Sequence, residues 1–249
     1  MRDRIHFSQL KDARLSAAHL RAALDRADRK DTPSMLMGRV IHSAYLEGIA
    51  PVVYDGERRG KAWTEFKAST EADIITATEY ETVQRILDAL SRSKEAREVL
   101  DANTGREVAW EADILGVAAA GKIDLLGPGS VDELKTCACA APRKFLYDAD
   151  RMWYDAQLAW YQMSQGVEYV GPDTEWMRSR IIAVENKSPF IVQVFKLDPL
   201  RLNQGADKIL RALDLLRECE ASGVWHGYTN GVHCWDADII THDEDEDEE

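Results

Sequence analysis

GKIDLLGPGSVDELKT, Gly121 to Thr136, is the stretch from which the fold is read. It places Asp124 in one extended segment and Glu133-Leu134-Lys135 in the next. Side chains two apart in a strand point to one face, so Glu133 and Lys135 project together while Leu134 turns into the core. Asp132 adjoins Glu133, but the same parity points it away from Lys135. If the strand holding Asp124 pairs alongside, its carboxylate reaches the same space. Two carboxylates offer hard oxygen ligands suited to Mg²⁺ or Mn²⁺. An ion so held polarises a phosphodiester and acidifies a bound water, and a neighbouring lysine orients that water or stabilises developing charge. On an exposed hairpin the same charges would be an ordinary solvated face.

Working outward, REVAWEADILGVAAAGKIDLLG alternates over short runs and predicts two strands, with SVDELKT a third. APRKFLYDADRMWYDAQLAWYQMSQG predicts one long helix, with Pro142 in its first turn and Gly166 closing it. EWMRSRIIAVEN and FIVQVFKLD predict two more strands, separated by a Lys-Ser-Pro turn. Asp198-Pro199 is an N-cap and first-turn pair for a closing helix that Gly223 terminates. Upstream, SAAHLRAALDRAD has helical spacing behind Ser16, and TPSMLMGRVIHSAYLEG predicts a helix starting near Thr32 or Ser34 and ending before Gly48. YDGERRGKAW reads as a charged, glycine-punctuated loop, and residues 71–100 as mostly helical. The expectation is an α/β fold: a mixed central β-sheet flanked by helices, with an N-terminal helical region. No repeat or linker divides the chain. It reads as a single domain over 1–240 (helical part about 1–100, catalytic core about 101–230) followed by an acidic, disordered tail at 241–249.

The composition, 249 residues with 45% hydrophobic, supports one substantial core. No apolar run is long enough to cross a bilayer, and the opening residues lack a signal-peptide pattern. The expectation is a cytoplasmic protein without a membrane partner. Cys137 and Cys139 form a C-x-C pair, with Cys219 and Cys234 isolated. These spacings do not suit zinc or iron–sulfur ligation and read as buried free thiols. The net charge is −13, and the final seven residues, DEDEDEE, account for seven of those charges, leaving −6. Contact with nucleic acid would therefore need a local basic patch or bound cations.

Four further pieces of sequence belong with the central stretch. GRVIH is Gly38-x-x-x-His42 on a helix, GKID is Gly121-x-x-Asp124, ELK is Glu133-x-Lys135, and QLAWY is Gln157-x-x-x-Tyr161. Gln157 and Tyr161, four apart, share a helical face with Tyr154 one turn earlier. Each piece is weak alone, but the ordered set G-x-x-x-H, G-x-x-D, (D/E)-x-K, Q-x-x-x-Y resembles the RecB-like branch of the PD-(D/E)XK nuclease superfamily. Within that branch it is most similar to phage and prophage RecE-type exonucleases, over about Ile5 to Tyr228.

The resemblance implies that His42, Asp124 and Glu133 ligate Mg²⁺ (or Mn²⁺), with the Leu134 carbonyl a further ligand, and that Lys135 is the catalytic lysine. It places Gln157 and Tyr161 in the active-site cleft, contacting DNA or fixing the catalytic strand. Glu133 stands where many relatives carry Asp, and its longer side chain bears on the metal geometry. The implied activity is exonucleolytic: 5′-to-3′ degradation of one strand at double-stranded DNA ends, leaving 3′ tails for recombination. The implied partners are a single-strand annealing recombinase and copies of the same chain in a trimeric or tetrameric ring. The basic candidates for backbone contact, which would not read sequence, are Arg58, Arg59 and Lys61 beside Trp63, then Arg143 and Lys144 at a helix start where amides also attract phosphate, with Tyr154 beside them. Two other readings stay open: an endonuclease or single-strand repair nuclease of the same fold, and a DNA-binding module without catalysis.

Overall fold

The computed structural model describes residues 4–26 and 32–228. Three helices come first: α1 (Phe7–Leu10), α2 (Ala17–Leu24) and α3 (Pro33–His42). A two-residue strand β1 (Val52–Val53), helix α4 (Gly60–Ala68), the short strand β2 (Ile74–Ile75), α5 (Ala77–Arg92) and α6 (Lys94–Asp101) follow. The main sheet then opens with β3 (Gly105–Ile114), β4 (Val117–Gly127) and β5 (Ser130–Cys137). Helices α7 (Pro142–Arg151) and α8 (Tyr154–Ser164) lead to β6 (Arg178–Glu185), β7 (Val192–Leu197) and the closing α9 (Pro199–Ser222). The acidic tail and Cys234 lie outside the described residues. No helix among the described residues is long and apolar enough to cross a membrane.

The helix starts follow local chemistry. The Ser16, Thr32 and Asp198 side chains each accept an amide from the first turn they precede, and Thr76 forms a reciprocal box with Glu79. Gly223 takes the left-handed conformation that ends α9. The predicted mixed α/β sheet is present, in spatial order β3-β4-β5-β6-β7. Within this five-stranded sheet β5 and β6 run parallel and the other neighbours are antiparallel; β1 and β2 form a separate parallel pair. One face packs against α1, α2, α8 and α9 around Trp160, and the other against α3, α5 and α6 around Leu90 and Leu134. Parity holds on β5: Val131 faces the first layer and Leu134 the second.

The sheet forks where the site lies. β4 pairs with β5 only from Leu125↔Asp132 to Gly127↔Ser130, while β5 stays with β6 along its whole length. Beyond the fork, Ile5 takes the place β5 has left beside β4, with its N–H on the Ala118 carbonyl and its carbonyl accepting from Ala120 N–H.

Three expectations need correcting. The long helix is two, because Trp153 adopts a left-handed conformation (φ 61°) between α7 and α8. α7 buries one stripe, Phe145 and Ala149, whereas α8 is buried on nearly every side. The YDGERRGKAW segment is a loop only as far as Arg59, and Lys61 and Trp63 lie on α4. α4 buries no residue fully; Trp63 and Phe66 hold it against Tyr54. Cys137 and Cys139 are half-buried free thiols, and only Cys219 is buried among the described cysteines.

α8 and α9 meet closely at Gly205, where a Cβ would stand 2.5 Å from the Asp155 carbonyl oxygen. Gly205→Ala is expected to destabilise the protein by about 1–3 kcal/mol, measured as a fall in Tm of several degrees. An unchanged Tm would refute this close helix contact.

Candidate active site

His42 is the last residue of α3, and the chain leaves it through a wide π-helical turn, Ser43–Glu47, closed by left-handed Gly48 (φ 71°). Such turns recur at functional sites because they re-aim a helical side chain. The imidazole Nδ1 stands 3.5 Å from Asp124 Oδ2 on β4 and 3.3 Å from Glu107 Oε1 on β3. Asp124 lies where β5 departs, so its carboxylate takes over part of the lost ladder: Oδ2 accepts the Leu134 N–H at 2.9 Å. Glu107 has a positive φ of 47°, and the β3–β4 register passes over it and Asp124, pairing Arg106 with Leu125 and Val108 with Ile123. Residues held in this region cost of order 1–3 kcal/mol and collect at functional sites.

On the α8 side of the fork, Glu133 Oε2 accepts a hydrogen bond from Lys135 Nζ. Glu133 Oε1 lies 3.5 Å from Gln157 Nε2, and Gln157 donates to the Tyr161 hydroxyl at 2.9 Å. The Lys135 ammonium also sits 5.1 Å from the centre of the Tyr154 ring. The structure therefore gathers seven of the residues named from sequence, His42, Asp124, Glu133, Lys135, Tyr154, Gln157 and Tyr161, around one junction. It adds Glu107. The missed residue had a signal, because counting back from the two-residue turn Leu115-Gly116, where both φ are positive, puts Glu107 opposite Asp124.

Burial and charge pull these groups in different directions. Burial alone would lower the His42 pKa, but Asp124 and Glu107 overcome it and raise the imidazole from 6.5 to about 10. Burial raises the Asp124 carboxyl, yet His42 and then Lys135 hold it below the usual range. Burial, reinforced by Asp124, drives Glu133 up, and Lys135 only partly offsets the rise. Burial disfavours the Lys135 cation, but Glu133 and Asp124 together raise its pKa. Burial and Glu133 keep the Tyr161 phenol protonated.

The donor set fits a hard divalent cation. One ligand atom each from His42, Glu107 and Asp124 lie within 4.8 Å of one another. An octahedral ion with bonds of about 2.1 Å separates adjacent donors by about 3 Å, close to the His42 separations above. Among the described residues this is the group of three that meets the distance condition. Glu133 stands beside it, engaged by Lys135 and Gln157. Carboxylates with one imidazole suit Mg²⁺ or Mn²⁺, the imidazole tilting the site toward Mn²⁺.

The remaining basic candidates are placed at the surface. Arg58 pairs with Glu79 at 3.2 Å and lies over Trp63, Arg59 pairs with Glu57 at 2.7 Å, and Lys61 stands 3.6 Å from Glu65. Lys144 pairs with Asp148 at 3.1 Å, and Arg143 is exposed in the first turn of α7. Exposed pairs of this kind are worth about 0–1 kcal/mol. These acidic partners all lie outside the His42–Glu107–Asp124 group.

A forked mixed sheet with Asp on one strand and Glu-x-Lys on the next defines a nuclease-like fold of the PD-(D/E)XK type. Residues 6–238 match the family described as PDDEXK-like domain of unknown function (DUF3799), and the chain belongs to that family. Among solved structures, it is similar to a candidate exonuclease from Eubacterium rectale, with TM-score 0.66 and 14% identity over 97% of this chain and 94% of that one. A phage-related exonuclease from Haemophilus somnus is aligned over 90% of this chain and 98% of that one, at 11% identity and TM-score 0.38, too low to carry weight. Comparison with curated proteins gives no match.

In the metal-free protein His42 keeps its proton through neutral pH. Because its folded-state pKa is raised, its pairing stabilises the fold fully below the ordinary histidine value and loses that contribution as pH climbs through about 10. A cation bound through Nδ1 must displace the proton. Mn²⁺ affinity is therefore expected to rise with pH between about 6 and 9, by up to about tenfold per unit for one proton released. Calorimetric titration in buffers of different ionisation enthalpy counts that proton, and a pH-independent affinity would remove His42 from the ligand set.

Proposed function

We propose that this protein is a metal-dependent exodeoxyribonuclease that resects one strand of double-stranded DNA ends, 5′ to 3′, and leaves 3′ single-stranded tails for recombination. One observation carries the reading: Lys135 lies on Glu133 at the fork, with Asp124 and His42 across it. Family membership and the resemblance to RecE-type enzymes support it.

His42, Asp124 and Glu107 would hold the ion, with Glu133 and the Leu134 carbonyl as further ligands. When bound, Mg²⁺ or Mn²⁺ supplies Lewis acidity toward the phosphodiester and acidifies a water. The chain's own groups do the rest. Lys135 remains cationic because the carboxylates raise its pKa, so it acts as a fixed charge that orients the attacking water and stabilises the transition state. Gln157 bridges Glu133 and the Tyr161 hydroxyl, fixing the carboxylate's orientation from α8. Tyr154 backs the Lys135 ammonium and limits its rotamers. Arg58, Arg59, Lys61, Arg143 and Lys144 are proposed as backbone contacts, made by exchanging weak surface pairs for phosphate. A homo-oligomeric ring, trimeric or tetrameric, would keep the chain on its strand between cuts, and a single-strand annealing protein would receive the tail.

Digestion of matched linear and circular duplexes with labelled ends, in Mg²⁺ and in Mn²⁺, tests the reading. The linear duplex should be consumed from its 5′ ends while the circle survives; equal loss of both would identify an endonuclease. Lys135→Ala is expected to reduce cleavage about 10³-fold, the scale of a lost transition-state charge partner, with fold and Mn²⁺ affinity retained. A variant that cuts at the parental rate would deny Lys135 its role.

A further inference from the structure

One residue before Glu133, β5 carries a buried charge that the site does not use. Asp132 is fully buried on the opposite face of the strand, where the Arg180 guanidinium grips it in a fork, Nε to Oδ1 at 3.1 Å and Nη2 to Oδ2 at 2.6 Å. Asn103 Nδ2 donates to Asp132 Oδ2 at 2.8 Å and also to the Val99 carbonyl at 2.7 Å. The Asn103 Oδ1 atom in turn accepts from Ser130 Oγ at 2.9 Å. The network thus ties β5 to its parallel neighbour, since Asp132 and Arg180 are register partners, and to the corner between α6 and β3. Asp132 is also the residue paired with Leu125 at the last rung that β5 shares with β4 before the fork.

Burying an ion pair gives little stability, because desolvation of both ions offsets their attraction, and apolar residues of similar volume do as well or better. Its use is conformational choice: only one register satisfies the guanidinium fork and the amide together. We propose that Asp132, Arg180 and Asn103 are positioning residues that fix the point at which β5 leaves β4. They thereby aim the Glu133 carboxylate and hold the Leu134 N–H on Asp124. Without the clamp β5 can continue pairing along β4, closing the gap that keeps the two carboxylates apart from the ladder. The metal-site part of this inference rests on the proposed function; the strand geometry does not.

The test measures Mn²⁺ affinity, hydrogen exchange at the Leu134 amide and linear-duplex cleavage in the full chain. In Asp132→Leu/Arg180→Met the fold is expected to persist, with a Tm near the parental value. Mn²⁺ affinity should fall about tenfold or more, as for residues that orient ligands, and the Leu134 amide should lose protection. Cleavage should drop in kcat more than in KM. Should the double variant fail to fold, Arg180→Lys keeps the charge but loses the fork, and is expected to lower Mn²⁺ affinity and Leu134 protection in the same direction. Asp132→Asn, which retains the shape, should retain part of both. A folded apolar pair, or Arg180→Lys, with parental affinity and protection would overturn the clamp. Clamp-dependent Mn²⁺ binding in a parental protein that cuts no DNA would support the clamp and sink the nuclease reading instead.

Discussion

Two carboxylates and an imidazole are brought within a few ångströms in a part of the protein that is largely closed to water. At an effective dielectric constant of 20, like charges 4 Å apart repel by about 4 kcal/mol, so the arrangement needs compensation at every side. The protein supplies it with a proton on His42, an amide from Leu134, the Lys135 ammonium and the Gln157 amide. Each comes from a different part of the fold, and the layering of the domain can be understood as the means of delivering them. α3 brings the imidazole from one layer, α8 brings Gln157 and Tyr161 from the other, and the sheet between them opens to admit both.

That arrangement explains why the charges sit uneasily without a cation. A raised His42 and a raised Glu133 both describe a cluster with more negative charge than it can hold as carboxylates. A divalent ion relieves the same imbalance and does so without the proton. On the proposed function, the acidic balance of the chain as a whole would matter less than its local pattern, because Lys135 and a cation held there would put positive charge at the fork itself.

The sequence made much of this legible. Strand parity placed Glu133 and Lys135 together and Asp132 apart, and helix periodicity put Gln157 and Tyr161 on one face. The N-caps at Ser16 and Asp198 marked helix starts correctly, and of the two candidates Thr32 and Ser34 the structure uses Thr32. What escaped was information carried between elements. Glu107 looked like one more charge in an alternating strand, and only the register across Leu115-Gly116 shows what it faces. Trp153 carries no local mark of a helix break, and its left-handed conformation is seen only in the structure. The helix at Gly60–Ala68 was hidden by glycines and charges that read as a loop, and it is held by aromatic contact with Tyr54 rather than by an apolar stripe.

The departure of β5 leaves β4 with hydrogen-bonding groups that residue 5 satisfies. A contact between positions 5 and 118–120 spans more than a hundred residues of chain, and loop-closure entropy opposes it. A single residue from outside the sheet thus caps the edge of β4 that β5 leaves open.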